Sequence, residues 1–207
     1  MAGRRTDTRQ RAQRVALQLF AEYGYEGASL RMIADRLKIT KAALYYHYKS
    51  KEDILAAVLQ DFSTSVAELV DWGERQPPGP ETRRELLSRY AELTKTGVTA
   101  AARLLQDNDP SYEDQPLCTE ARAHVRALFG LLTGPGAPAP DAPAGASTPA
   151  APTASLRARL AVTALHMAGD EAERAESGGP ELIDAALEIA CELVDPRTAG
   201  QPPRVPS

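Results

Sequence analysis

Apolar residues recur at helical spacing along most of the chain, and this periodicity constrains the fold more than any other feature. The apolar positions stand three and four residues apart, which puts them on one face of an α-helix. No segment resembles a β-strand convincingly, and alanine and leucine, both strong helix formers, are plentiful. The sequence therefore predicts an all-α protein of about nine helices. The first apolar stripe consists of Ala12, Val15, Ala16, Leu19, Phe20 and Tyr23.

Residues that start and stop helices divide this pattern. Gly24 predicts the end of the first helix, because glycine accepts the positive φ of a C-terminal cap. Ser29, Thr40 and Ser50 can each cap the N-terminus of one of the next three helices through a side-chain oxygen. Three prolines within residues 76–80 then break the fourth helix. Further helices are predicted over 81–95, 97–106, 117–132, 155–176 and 180–194.

Two segments have compositions that do not favour ordered structure. Residues 134–153 contain six prolines, three glycines and seven alanines, with Asp141 as the only charge. Such a segment buries too little apolar surface to order itself, so we expect a flexible loop there. We also expect residues 196–207 to form a disordered tail.

Charge is distributed unevenly along the chain. Residues 1–51 contain eleven lysines and arginines against four acidic residues, a formal net charge of +7, although the whole chain carries −4. A basic N-terminal part on an acidic body suggests that the N-terminal part binds a polyanion. A basic surface that only faces solvent is the alternative.

Residues 29–48 contain two short predicted helices joined by a tight turn at 37–40. This is the arrangement of a helix-turn-helix, whose second helix enters the DNA major groove. The outer side of that second helix keeps small alanines together with lysine, tyrosine and histidine. Small residues permit close approach to bases, and lysine and tyrosine donate to phosphates. Four apolar residues are spaced to lock the two helices together: Ala34, Leu37, Ile39 and Leu44.

The run from Leu30 to Glu52 resembles the N-terminal domain of TetR-family transcriptional regulators. Its most specific part is the sequence Leu-Tyr-Tyr-His-Tyr at 44–48, followed by Lys-Ser-Lys. The sequence Leu-Phe-Ala-Glu-Tyr-Gly-Tyr at 19–25 is similar to the first helix of that family. Close resemblance covers about residues 8–60. One departure is Lys38, which stands where the family usually has glycine in the turn.

The resemblance implies a DNA-binding domain over residues 8–60 and a ligand-binding and dimerisation domain over 61–195. It implies that third-helix residues lie near base edges and that Tyr45 contacts phosphate. It also implies that Arg31 reaches a base or the backbone, and that Lys51 adds its charge near a phosphate at the start of the fourth helix. The DNA-binding candidates are Arg31, Lys41, Ala42, Ala43, Tyr45, Tyr46, His47 and Lys51.

The resemblance further implies a ligand pocket in the body and a dimer built from the last two helices. For each pocket candidate, ordinary core packing is the alternative, and the scarcity of charge among them favours a mostly apolar ligand. The pocket candidates are Phe62, Val66, Trp72, Tyr90, Leu93, Leu104, Tyr112, His124, Phe129 and Met167. The last two helices are apolar on more than one face, which suggests that a second chain covers them. The dimer candidates are Leu156, Leu160, Leu182, Ile183, Ala186, Leu187, Ala190, Leu193 and Val194.

These features predict a repressor that a small, mostly apolar ligand releases from a near-palindromic DNA operator. The alternative is a DNA-binding regulator without a small-molecule inducer, controlled by a protein partner or constitutive. No nucleophile elbow, phosphate loop or carboxylate cluster suggests an enzyme. Two cysteines and three histidines without metal-ligand spacing suggest neither a metal nor a cofactor. The polar N-terminus and the lack of a long apolar run predict a cytoplasmic protein that does not enter the membrane.

Overall fold

A computed structural model of the chain describes residues 2–95, 98–106, 116–134, 151–174 and 179–195. Within these ranges the chain forms nine α-helices and no strand, which confirms the all-α prediction. None of these helices combines the length and the apolar character that crossing a membrane requires. The helices are α1 (Ala2–Gly27), α2 (Leu30–Leu37), α3 (Lys41–His47), α4 (Lys51–Glu74), α5 (Pro80–Thr94), α6 (Val98–Gln106), α7 (Pro116–Thr133), α8 (Ala151–Arg174) and α9 (Gly179–Val194).

The three predicted caps start α2, α3 and α4. The hydroxyls of Ser29 and Thr40 each accept the backbone N–H three positions further on, at 3.3 and 3.2 Å. The Ser50 hydroxyl accepts the N–H of Asp53 at 3.1 Å, and the Asp53 carboxylate accepts the N–H of Lys49 at 2.9 Å. Each bond satisfies a donor that a helix N-terminus leaves unpaired. The predicted start points of these helices are therefore confirmed.

Gly24 interrupts α1 as predicted, but helical structure resumes after it. Its φ of 73° and ψ of 163° lie outside the helical region, and α1 continues to Gly27. Glycine adopts a positive φ without the steric cost of a Cβ atom. The chain therefore turns at Gly24 and completes one more helical turn before α2 begins.

The start of α8 differs from the prediction. The helix begins at Ala151, so residues 151–153 of the predicted loop are helical and that part of the prediction is wrong. Pro152 is the second residue of the helix. Proline is tolerated there, because an N–H at that position would have no intrahelical acceptor. The rest of the predicted loop, 135–150, and the predicted tail, 196–207, lie outside the described residues.

The described residues divide into two compact units. The first unit comprises those within 1–68 and 96–125. In it α2 packs against α1 and α3, and α6 also contacts α1. Its core includes Leu19, Ile33, Leu44, Leu55 and Phe62, all buried.

The second unit comprises the described residues within 69–95 and 126–207, in which α5, α8 and α9 pack against one another. The buried Tyr90 hydroxyl lies 2.7 Å from Nε2 of the buried His166, which joins α5 to α8. Burial raises the pKa of the Tyr90 phenol above its usual value, so the phenol stays neutral. Arg83 and Asp195 form an ion pair between the first turn of α5 and the end of α9.

Candidate nucleic-acid interface

Buried apolar side chains hold α2 and α3 together as a helix-turn-helix. Both helices are too short to be stable alone, so packing has to fix them. Ile39, which was also expected in this contact, is only half-buried. The other three predicted residues are buried, and two more residues of α2 join them. The buried set is Leu30, Ile33, Ala34, Leu37 and Leu44.

The turn between these helices has the geometry of a glycine C-cap, but the residue is Lys38. Its φ of 56° and ψ of 40° are left-handed, and among the described residues it is the only non-glycine residue with positive φ. The Lys38 N–H donates to the carbonyl of Asp35, and the Ile39 N–H donates to that of Ala34, both at 3.1 Å. This pair of bonds is a Schellman motif, which ends α2 and turns the chain into α3.

The outward side of α3 carries most of the predicted DNA contacts. Lys41, Ala42, Ala43 and Tyr46 are exposed, and Tyr46 keeps 63% of its surface accessible. A large aromatic side chain in that position is available to a partner molecule. Two alanines beside it leave room for a groove wall, and a lysine adds positive charge. This face suits contact with base edges and phosphates.

Tyr45 and His47 are half-buried at the edges of this face. The Lys41 ammonium lies 5.2 Å from the centroid of the Tyr45 ring, and the rings of Tyr46 and His47 meet edge to face at 5.3 Å. These contacts restrict the side chains on the face before any partner binds. A restricted side chain loses less conformational entropy on binding than a mobile one.

Tyr48, the last aromatic residue of the motif, belongs to the core. It is buried, and its hydroxyl accepts a hydrogen bond from Arg9 Nε at 3.3 Å. Burial raises the pKa of its phenol, an effect that the hydrogen bond and charge of Arg9 oppose. Sequence reasoning did not assign Arg9 this position, because the two residues are 39 positions apart.

The two remaining DNA candidates differ from each other. Arg31 on α2 is highly exposed, with Asp35 one turn later at 3.8 Å, so it can reach a partner. Lys51 is mostly enclosed, with 18% of its side chain accessible, and its ammonium donates to the carbonyl of Tyr25 at 3.0 Å. The role of each as a DNA contact stays a prediction.

Comparison with known proteins identifies the N-terminal part of the chain, residues 8–60, which we call the head. Residues 14–58 match the family described as bacterial regulatory proteins, tetR family. This N-terminal segment is that of a TetR-family protein. The matched segment contains the whole helix-turn-helix and the capped start of α4, so the resemblance seen in the sequence is confirmed.

Two relatives and one solved structure illustrate the extent of the similarity. The HTH-type transcriptional regulator AcrR of Shigella flexneri is 33% identical over 92 residues, which are 44% of this chain and 43% of AcrR. The HTH-type transcriptional repressor AcnR of Corynebacterium glutamicum is 32% identical over 65 residues, 31% of this chain and 35% of AcnR. The chain thus matches less than half of the length of these relatives.

The crystal structure of Mycobacterium smegmatis AmtR is similar to nearly the whole chain. The match covers 88% of this chain and 84% of the AmtR chain, with a TM-score of 0.59 and 22% sequence identity. At this identity the likeness concerns the fold alone. The chain therefore shares its helical fold with a solved structure.

The pocket candidates are divided between the two compact units. In the first unit Phe62, Val66 and Leu104 are buried, and Nδ1 of the half-buried His124 lies 2.9 Å from the Ser63 hydroxyl. The second unit contains the other described candidates. Tyr90 is buried, Met167 is 68% accessible, and Trp72, Leu93 and Phe129 are half-buried. Tyr112 lies outside the described residues. The exposure of Met167 puts it on the molecular surface, whereas a lining residue was expected to point inward.

The dimer candidates fall on two sides of α8 and α9. Ile183, Ala186 and Ala190 are buried within this chain's own second unit. That burial accounts for one apolar side of α9 without a second chain. Leu187, Leu193 and Val194 are half-buried. The exposed candidates are Leu156, Leu160 and Leu182, and they are joined by Met167 and Ile189.

Proposed function

We propose that this TetR-family chain is a sequence-specific DNA-binding transcriptional regulator, and specifically a repressor. The observation that carries the proposal is the outward face of α3, where Lys41, two alanines and the 63% accessible Tyr46 stand on a helix locked from behind. A face of this kind at the second helix of a helix-turn-helix fits the major groove. The net charge of +7 over residues 1–51 favours association with the phosphate backbone.

The sign of regulation and the arrangement of domains are also part of the proposal. AcnR, which is 32% identical over 65 residues, is named a transcriptional repressor. A protein that occupies an operator blocks transcription by its presence there, without further machinery. We assign DNA binding to residues 8–60 and both effector binding and dimerisation to residues 61–195, in a cytoplasmic protein.

Selection from a library of random DNA duplexes tests DNA recognition directly. We expect an enriched near-palindrome, because a two-fold dimer presents two copies of α3 one helical turn of DNA apart. Tyr46→Ala and Lys41→Ala should relax the base preference at a few positions, by about 1–3 kcal/mol for each lost base contact. Tyr45→Phe removes only a hydroxyl and should weaken binding to all sequences alike.

The matched control is Tyr23→Ala. Tyr23 is an exposed tyrosine of the same head, but it lies on α1 outside the helix-turn-helix. We expect this variant to select the same duplex as the unmodified protein with the same affinity. If the library yields no enriched sequence, or if Tyr23→Ala changes the preference as much as Tyr46→Ala, recognition by α3 is wrong.

We propose in addition that a small, mostly apolar molecule releases the protein from its operator. Phe62, Val66 and Leu104 supply apolar surface inside the first unit, and the pair formed by Ser63 and His124 can orient one polar group. Binding linkage provides the test. A compound that stabilises the protein against thermal unfolding must bind more weakly when operator DNA is present, by the same factor by which it weakens DNA binding. Equal affinities in the two titrations would favour regulation by a protein partner instead.

A further inference from the structure

The segment that leads into the helix-turn-helix is held in a defined shape. Gly24, with its φ of 73°, turns the chain so that Tyr25 is buried and its ring meets that of Phe20 edge to face at 5.1 Å. The Ala28 N–H donates to the Gly24 carbonyl at 3.2 Å. The next residue, Ser29, caps α2. The direction in which α2 starts therefore depends on how Tyr25 and its neighbours are held.

The side chain of Lys51, the first residue of α4, holds this segment through three contacts. Its ammonium donates to the Tyr25 carbonyl at 3.0 Å and lies 4.3 Å from the centroid of the Tyr25 ring. It also lies 3.5 Å from the Glu26 carboxylate. A lysine that moved its ammonium to a DNA phosphate would give up this hydrogen bond and the contact with the ring.

These contacts join the two ends of the helix-turn-helix. Glu26 lies three residues before Ser29, and Lys51 lies three residues after Tyr48, so both helices of the helix-turn-helix lie between them. A second bond between the same two helices, from Gln13 to Asp61 at 2.9 Å, fixes α1 on α4 further along. The pKa of the neighbouring Glu52 carboxyl is lowered, chiefly because its own backbone N–H donates to it. Burial opposes this effect, and the positive charge of Lys51 adds to it.

We propose that Lys51 is a positioning residue, which closes the two ends of the helix-turn-helix and so fixes the direction of α3, instead of a phosphate contact. This inference rests on the proposed function for its consequence, the binding of DNA. It assigns the charge of Lys51 to the protein's own Tyr25 and Glu26. The role that the family resemblance implies for Lys51 assigns that charge to DNA.

The dependence of DNA binding on salt separates the two roles. Each phosphate contact that is lost makes the slope of log K against log salt shallower by about one. For Lys51→Met we expect the affinity for the selected duplex to fall about tenfold, as when one base contact is misplaced, with the slope unchanged. The control, Lys41→Met, removes the same charge from the exposed face of α3. A lysine there neutralises DNA charge as well as touching a base, so its loss should make the slope shallower by about one for each head. A slope that becomes shallower by that amount in Lys51→Met would overturn the proposal.

A milder variant, Glu26→Gln, separates the two roles by the direction in which the affinity for DNA changes. Removing a negative charge beside DNA ordinarily strengthens binding, because DNA is a polyanion. Glu26→Gln removes one contact of Lys51, so we expect the affinity to fall about two- to fivefold, the range of a partly exposed ion pair. An affinity equal to or above that of the unmodified protein would contradict the role of Glu26. This test stays available if Lys51→Met does not fold.

Amide hydrogen exchange examines the same contacts without DNA. In Lys51→Met we expect faster exchange at the amides of residues 25–30, whereas Lys41→Met should leave them unchanged. Unchanged exchange in Lys51→Met would reject the positioning role even if the unmodified protein binds its duplex. If the unmodified protein binds no duplex but exchange accelerates as expected, the proposed function fails and the link between α1 and α4 stands.

Discussion

Lys38 adopts a backbone conformation that a side chain makes unfavourable. A left-handed residue with a Cβ atom costs about 1–2 kcal/mol relative to the right-handed form, because the Cβ approaches the following carbonyl oxygen. The Schellman bonds at the end of α2 nonetheless require that conformation at this position. The strain is therefore a local cost of the turn, and Lys38 itself is exposed and contributes nothing to the core.

Replacing Lys38 with glycine should therefore stabilise the protein. For Lys38→Gly we expect the free energy of unfolding to rise by about 1 kcal/mol, after allowing for the greater freedom of glycine in the unfolded chain. Urea unfolding followed by circular dichroism measures this change. Lys38→Ala is the control, since it removes the charge and keeps the Cβ atom, and it should be no more stable than the unmodified protein. A stabilised Lys38→Ala would mean that charge, and not backbone strain, sets the effect.

Sequence reasoning at the level of residues succeeded where the decisive contacts are local. The positive φ of Gly24 followed from residue type and position alone. Lys51 differs, because its partners lie 25 and 26 residues earlier in the chain, and no spacing rule connects such positions. The burial of Tyr48 likewise depends on a residue distant in sequence, because its hydroxyl accepts a hydrogen bond from Arg9, 39 positions earlier.

At the scale of elements, side-chain caps decide where the helices of the head begin. Ser29 and Thr40 each satisfy one backbone donor of a helix that has only eight or seven residues. A short helix has few internal hydrogen bonds, so one cap is a large share of what holds it. The cap at Thr40 also fixes the first turn of α3, where Lys41 and Ala42 stand.

Removing these caps should destabilise the head by a predictable amount. We expect Ser29→Ala and Thr40→Ala each to lower the free energy of unfolding by about 1 kcal/mol. Thr64→Ala is the control, because Thr64 is exposed inside α4, where alanine favours a helix. Chemical denaturation of the three variants checks the prediction. Equal stability of Thr40→Ala and Thr64→Ala would show that the bond at Thr40 contributes nothing.

The prediction of elements failed where composition outweighed position. Residues 151–153 were assigned to a loop because of the prolines and alanines around them, yet α8 begins there. Proline disfavours a helix interior and is tolerated in the first turn, and composition alone does not say where a first turn lies. The caps at Ser29, Thr40 and Ser50 could be predicted, because a serine or threonine directly before an apolar helical stripe marks where the helix begins.

At the scale of the whole molecule, the exposed apolar side chains of α8 and α9 need a partner surface. Leu156, Leu160 and Met167 stand four and seven residues apart, so they share one side of α8. Leu182 and Ile189, seven residues apart, share one side of α9. That side is exposed, whereas the side with Ile183 is buried. Apolar stripes on two adjacent helices are characteristic of a covered surface. The occupant that we propose is a second copy of this chain, since a two-fold dimer also supplies the two heads that a palindrome requires.

Glutamate substitutions on the exposed stripes of α8 and α9 should therefore separate the two chains of the dimer. For Leu160→Glu and Ile189→Glu we expect dimer dissociation at least about a hundredfold easier. A leucine-sized contact contributes about 1.5–3 kcal/mol and occurs twice in a symmetric interface.

Ala190→Glu would instead disrupt the chain's own core, because Ala190 is fully buried. Gln60→Glu, which adds the same charge at an exposed position of α4, is the control and should stay dimeric. Analytical ultracentrifugation from nanomolar to micromolar concentration measures all of these constants. A monomeric unmodified chain at micromolar concentration, or an unchanged dimer in Leu160→Glu and Ile189→Glu, would show that α8 and α9 do not form the interface.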